Sequence, residues 1–266
     1  MKIKLIIVAF LITISSFSQS IKNEDGTRNF AFQKGEWLRY RMSYSNFLNA
    51  GYSTIEVKDT TNNNKEAFHI IGVGKSTGFI SLFFKVKDNY QTFIDKETLK
   101  PYRFIRKINE GGYTKNKEII FDYTTNEATV KDYKHNTVEK HPISSNIQDI
   151  LSSLYFLRNQ DLSNLIIGDE IELKMFFDEE ITNFKLHYLG KEVIKSRFGK
   201  LETLKFRPLV QTGRVFKEQE SVSIWITDDE NKIPIKIKAS LAVGSLRADL
   251  DAFKGLAHPF NIIFNN

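Results

Sequence analysis

The sequence contains no cysteine. That excludes disulfides, and it excludes the acylated cysteine by which bacterial lipoproteins are anchored just behind their signal. Tryptophan is almost as scarce, with Trp37 and Trp225 alone, whereas enzymes acting on sugars usually line their clefts with it. Pro/Gly-rich linkers and low-complexity segments are missing, so no domain boundary is marked. Basic blocks are missing too. The net charge is +6, but lysines are scattered and sit beside acids, as in Lys117–Glu118 and Lys131–Asp132. Nucleic-acid binding needs a concentrated cationic patch, which this distribution does not supply.

Long apolar runs are also lacking. The N-terminal run, Leu5 to Ile14 broken by Thr13, would span only about 15 Å as a helix against roughly 30 Å of hydrocarbon. Lys2 and Lys4 precede it, and Ser16 and Ser18 fit the small-residue positions of a cleavage site. This is the pattern of a secretory signal. Residues 1–18 are expected to be removed, leaving Gln19 first and a periplasmic or secreted chain with no stable membrane insertion. Residues 19–33 are mostly polar and read as a loose leader. A single β-rich domain is expected over 34–256, with 257–266 as a C-terminal tail.

What is abundant is aromatic: 22 Phe and 10 Tyr, residue types that favour strands and make wide apolar walls. Alternation with a period of two recurs from Trp37 onward. Leu38, Tyr40, Met42 and Tyr44 share one face. Tyr102, Phe104 and Ile108 share another, interrupted by Arg106. Ile119, Phe121 and Tyr123 follow a Gly111–Gly112 turn. Further along, Ile171, Leu173, Met175 and Phe177 alternate with mainly charged residues, then Phe184, Leu186 and Tyr188 do so. Val222, Ile224 and Ile226 run into a turn at Asp228–Asn231, and Ile233, Ile235, Ile237 and Ala239 return from it. One apolar and one polar face per strand predicts antiparallel sheet with one wet side. One helix is expected at about 145–158, from the stripe Ile147, Ile150, Leu151, Leu154, Tyr155 and Leu157 behind a Ser145/Gln148 capping box. The fold class is therefore mainly β: a strongly curved antiparallel sheet, an open or half barrel, with one amphipathic helix packed over or into it.

Catalytic motifs fail on inspection. Gly72–Val73–Gly74–Lys75–Ser76 resembles the end of a phosphate loop, but the glycine required five residues before Gly74 is His69. Glycines inside a strand mark bends or close approach instead. The histidines His69, His135, His141, His187 and His258 show no ligand spacing, so no metal is expected. Asp228–Asp229–Glu230 lacks a calcium-loop pattern and is explained by turn chemistry. No nucleophile elbow occurs. The sequence thus implies no cofactor and no enzyme, with a carboxylate hydrolase the remotest option.

A string of motifs adds a resemblance. Thr212–Gly213–Arg214–Val215–Phe216, then Val222–Ser223–Ile224–Trp225–Ile226–Thr227–Asp228–Asp229 and Lys232–Ile233–Pro234, resemble the C-terminal signature of an exported bacterial family catalogued as domain of unknown function 3108. Gly35–Glu36–Trp37–Leu38–Arg39–Tyr40, Asp88–Asn89–Tyr90, Leu99–Lys100–Pro101, the helix with Asp149, Leu154–Tyr155 and Arg158, and Val243–Gly244–Ser245 also match. The likeness covers about residues 34–250. It implies an envelope protein with a curved sheet, similar in general shape to periplasmic lipoprotein carriers, and carries no established activity.

Two functions are left open. One is a binding or carrier module for a lipid-like apolar ligand, held by Tyr40, Tyr90, Tyr102, Phe104, Phe121, Leu151, Leu154 and Tyr155. The other is an interaction or scaffold protein of the outer-membrane or secretion machinery, with a filled core and an envelope protein as partner. Sequence alternation looks the same for a filled barrel and a hollow one.

Overall fold

The computed structural model describes residues 29–45, 48–210 and 222–264. The expected signal, most of the leader and the Thr212–Phe216 motif lie outside these residues. Eight strands form a first meander: β1 (Trp37–Tyr44), β2 (Leu48–Asn62), β3 (Lys65–Ser76), β4 (Lys87–Asp95), β5 (Pro101–Glu110), β6 (Tyr113–Asp122), β7 (Glu127–Asp132) and β8 (Thr137–Pro142). A one-turn helix, α1 (Ile80–Phe83), lies between β3 and β4. Then come β9 (Ile147–Gln148) and the helix α2 (Ile150–Arg158). The second meander is β10 (Glu170–Phe177), β11 (Glu180–Ser196), β12 (Gly199–Val210), β13 (Val222–Thr227), β14 (Pro234–Ser240) and β15 (Ser245–Lys254).

Two-residue turns with both central residues at positive φ close several hairpins, at Asn63–Asn64, Gly111–Gly112 and Asp178–Glu179. Such turns match the right-handed twist of the strands they join. Pairing of β1 with β15 fuses the meanders into one 15-stranded sheet, ordered β8 through β1, then β15 back to β9. Every pairing is antiparallel except the two-residue contact of β9 with β10.

The sheet curls until its two ends meet without a shared ladder. Side chains make the junction. Phe176 on β10 lies 6.2 Å from Phe121 on β6 and 5.7 Å from His141 on β8, centroid to centroid. Asp178, at the β10–β11 tip, accepts hydrogen bonds from Arg106 and Lys115, both at 2.5 Å. Glu179 pairs with Lys117. Arg106, which breaks the apolar alternation of β5, is thus the cation that receives the opposite end of the sheet.

The interior is packed in three regions. The largest combines Phe32, Ile70, Ile94, Phe104, Phe121, Leu151, Tyr155 and Phe176 among others. A second joins Leu38, Tyr40, Ile194, Leu201, Trp225, Ile233, Ile235 and Leu250, and a third centres on Leu186, Tyr188, Leu204 and Phe206. Trp225 is buried and donates Nε1–H to Glu192 at 3.0 Å. It faces its directly opposed neighbours Lys205 and Lys236, so Ile224 occupies the other side of the strand.

Several expectations need correction. The helix starts at Ile150, because Asp149 caps it better than Ser145 could. The Asp149 carboxylate accepts from Leu151 N and Ser152 N, both at 2.8 Å, and Ser152 Oγ accepts from Asp149 N at 2.8 Å. Gln148 instead lies in β9 and donates to the Leu99 carbonyl. Met42 keeps the face of Leu38 and Tyr40, opposite Gly51, but stands exposed at the sheet's end; the register shifts only beyond it, where Ser43 is buried, so Tyr44 does not continue that face. On β10 the buried ring is Phe176; Phe177 lies half-buried under the Arg106 guanidinium, 4.6 Å away. The leader is not loose over its described end, since Ala31 and Phe32 are buried and Phe32 packs 4.6 Å from Tyr155. Nor is the tail separate. Phe260 and Ile262 pack on the second cluster, and Lys200 bridges to Ile263.

Candidate apolar ligand groove

Helix α2 is locked inside the curl by two buried polar groups. The Arg158 guanidinium grips the Glu36 carboxylate with two bonds of 2.7 Å, Nη1 to Oε1 and Nη2 to Oε2. It also donates to the carbonyls of Ala31 and Asn231, and Tyr155 donates to Glu36 at 3.3 Å. At the other end, Thr92 on β4 donates to Asp149 Oδ2 at 2.5 Å. Burial pushes the Asp149 carboxyl up to about 6, against the pull of Thr92 and the two backbone donors. Asn231, at the turn after β13, holds the chain's last segment through His258 and Pro259. The Asp228–Asn231 stretch is turn chemistry: Asp229 Oδ1 accepts from Thr227, Asn231 and Lys232.

The space that remains open lies beside the N-terminal turn of α2. On β3 the inward row runs from fully buried Ile70 to Gly72 and Gly74. A Cβ on Gly72 would stand 3.7 Å from both Leu151 methyls, and one on Gly74 would stand 3.9 Å from the Asp88 Cβ. Neither glycine is at positive φ, so backbone strain does not require them. Their missing side chains leave a groove of about 490 Å3 between β2, β3 and β4, roofed by α1 and closed at its inner end by α2. Met42, Tyr52, Ile55, Ile80, Phe84, Val86, Tyr90, Ile150 and Leu151 line it. Polar groups come from Ser53, Ser76, Lys75 and Asp88 and the phenols of Tyr52 and Tyr90. Such a wall can exclude water from an apolar chain and meet a polar head with a charge at the rim; nothing in it resembles a nucleophile with its base.

Of the residues singled out from sequence, Tyr90 and Leu151 line this groove. Phe104, Phe121 and Tyr155 lie in the packed core, and Leu154 packs against it. Tyr40 belongs to the second cluster, where burial raises its phenol well above the usual range. Tyr102 does not share the face of Phe104. A bulge pairs Phe93 with Arg103 and Ile94 with Pro101, leaving Tyr102 without a partner between them. Its ring rests 5.9 Å from Phe93, which stacks on His69 at 4.1 Å. Sequence reasoning missed Met42, Ile55, Ile80, Phe84, Val86 and Ile150. The available signal was the glycine pair, which interrupts an otherwise apolar inward row.

Among the described residues, one group could present ligands to a metal: Glu139, His141 and Glu179, where β8 meets the β10–β11 tip. Glu179 is already paired with Lys117. Among the described residues no helix is long and apolar enough to cross a membrane.

A strongly curved, unclosed antiparallel sheet around a buried plug helix defines a β-barrel-like protein with one lateral apolar groove. Within that class the chain belongs to the family described as protein of unknown function, DUF3108, whose model matches residues 39–251. The structure is similar to a β-barrel-like protein of the DUF1849 family from Brucella abortus, with TM-score 0.53, 10% identity, and coverage of 84% of this chain and 98% of that one. A protein of Bacteroides fragilis with a YmcC-like fold aligns with TM-score 0.34 at 9% identity, over 85% of this chain and 98% of that one. No curated protein sequence matches the chain.

Proposed function

We propose that this chain is an exported, non-catalytic binding or carrier module for a lipid-like apolar molecule, held in the groove between α1, β2–β4 and the first turn of α2. The observation that carries the reading is the glycine floor. Two strand positions facing the interior give up side chains that would fill it, at a cost in buried apolar contact, and the result is a cavity of about 490 Å3 with an almost wholly apolar wall. Ligand sites of roughly 300–1,000 Å3 with few polar groups are the usual form of such pockets. Export rests on Lys2, Lys4, the Leu5–Ile14 run and the small residues Ser16 and Ser18.

Titration with a fluorescent fatty acid tests the reading. Wild type is expected to take up the probe saturably. Gly74→Leu keeps an allowed backbone and fills the groove, so it should weaken uptake about tenfold or more, equivalent to ~1.4 kcal/mol, while the melting curve stays close to wild type. Absence of saturable uptake by wild type removes the carrier reading. The scaffold alternative draws on a different observation: β8 is an edge strand with Val138 exposed, an arrangement open to strand addition. Native mass spectrometry of protein recovered from its own envelope separates the two, a bound lipid supporting the first and a bound protein the second.

A further inference from the structure

The segment that roofs the groove is itself exposed in an unusual way. Phe79, Leu82, Phe83 and Phe84 are 65%, 78%, 74% and 50% exposed, and no residue of α1 is buried. Single exposed apolar side chains are ordinary, but four within six consecutive positions are not. The segment is nonetheless held in place. Phe84 N bonds to the Ile80 carbonyl, Ser81 Oγ to the Gly78 carbonyl, Gly111 N to the Lys85 carbonyl, and Thr77 N to the Ala50 carbonyl. A rigid apolar protrusion keeps its rings in water, a cost that some occupant must offset.

The surrounding charge indicates which occupant. Lys75, Lys85 and Lys87 are all exposed, and Lys75 stands directly opposite Lys87 across β3 and β4. Like charges opposed in this way destabilise a sheet. None of the three forms an ion pair among the described residues. Asp88, next to Lys87 in the chain, is buried and accepts from Asn109 N. Cations thus ring an apolar tip. At the same end of the sheet, the β14–β15 turn, tied to the β1–β2 turn by Ser45 N to the Ser245 carbonyl, exposes Leu241, Val243 and Leu246.

We infer that α1 and its flanking lysines form a reversible contact with an anionic lipid surface, seating the mouth of the groove on the bilayer. Apolar rings enter the headgroup–acyl boundary to a depth of roughly 5–10 Å while lysines meet lipid phosphates, the combination by which interfacial segments bind. A protein partner fits less well, because a stable interface needs about 800 Å2 from each side and α1 is a single turn. Ile80 and Phe84 belong both to the protrusion and to the groove wall. An acyl chain leaving the bilayer at this point would therefore pass from lipid to groove along continuous apolar surface. This deepens the carrier reading and rests on it for its purpose, although the lipid contact stands or falls by itself.

The test is co-flotation of the mature chain with vesicles of phosphatidylethanolamine and phosphatidylglycerol, against vesicles of phosphatidylcholine alone, alongside fatty-acid uptake from solution. Wild type should float with the anionic vesicles, weakly with the neutral ones, and less as salt is raised. Phe83→Ser combined with Leu82→Ser should reduce flotation at least tenfold, and Lys85→Glu combined with Lys87→Glu should do the same. None of these four residues lines the groove, so uptake of soluble probe should be unchanged. Equal flotation by wild type and both variants, or none by wild type, overturns the lipid contact. A concentration-dependent dimer in sedimentation that the Leu82/Phe83 variant abolishes overturns it in favour of self-association. Flotation without probe uptake would instead retain the lipid contact and remove the carrier reading.

Discussion

Asp149 shows how a single residue can be both structural and costly. It caps α2, accepts from Thr92, and is fully buried, which pushes its carboxyl up to about 6 from an ordinary 3.8. A raised carboxyl stabilises the fold while protonated in both states, below its unfolded value near 3.8. That contribution is lost as pH rises through the folded value near 6, because the unfolded chain then releases a proton the folded chain retains. The pKa difference corresponds to roughly 3 kcal/mol. Urea melts of wild type and Asp149→Asn between pH 3.5 and 7 check this. The stability of wild type relative to the variant should fall as pH rises through that window. A difference independent of pH would mean that the carboxyl titrates normally. From sequence, Asp149 was visible only as part of a family-like motif. Its role depends on Thr92, far away in the chain, and no local pattern reports such a partner.

Helix α2 is the element on which both halves of the sheet converge. Arg158 reaches Glu36 before β1, Ala31 in the N-terminal segment, and Asn231 after β13. Arg158→Met keeps the aliphatic stem but leaves the Glu36 carboxylate buried without its cation, a change that typically costs about 3–5 kcal/mol. Pairing it with Glu36→Gln should recover a substantial part. Thermal melts of both single variants and the double close the cycle, and additive losses would show that the two side chains do not act as a unit. The existence and apolar stripe of this helix were legible, as were most strands, because period-two and helical spacing survive wherever one face is buried. Its start was not, since Ser145/Gln148 and Asp149/Ser152 offer competing caps and only β9 pairing with β10 decides between them. A bulge defeated the face of β5 for a related reason: the extra residue Tyr102 breaks the alternation, and nothing in its own type announces one. The helix α1 gave no signal at all, being too short for any period.

At the scale of the whole molecule, the ends of the sheet are joined by side chains and by the 143–149 connection that leads from β8 through β9 to α2. The charged part of that junction is Asp178 and Glu179 against Arg106, Lys115 and Lys117. Partly exposed pairs of this kind contribute roughly 0.2–1 kcal/mol each. Asp178→Asn with Glu179→Gln should therefore lower the melting temperature only slightly while accelerating amide exchange in β8 and β10 selectively. Uniform acceleration would mean that the junction does not open as a local unit. The absence of a ladder there has a wider consequence. In a closed barrel, strand number and shear fix the circumference, so the interior has one size. Here, among the described residues, no hydrogen-bond register spans the join, so the girth is set instead by the side chains that meet there, Phe176 against Phe121 and His141 and the Asp178–Glu179 tip against its cations, together with the tether of residues 143–149.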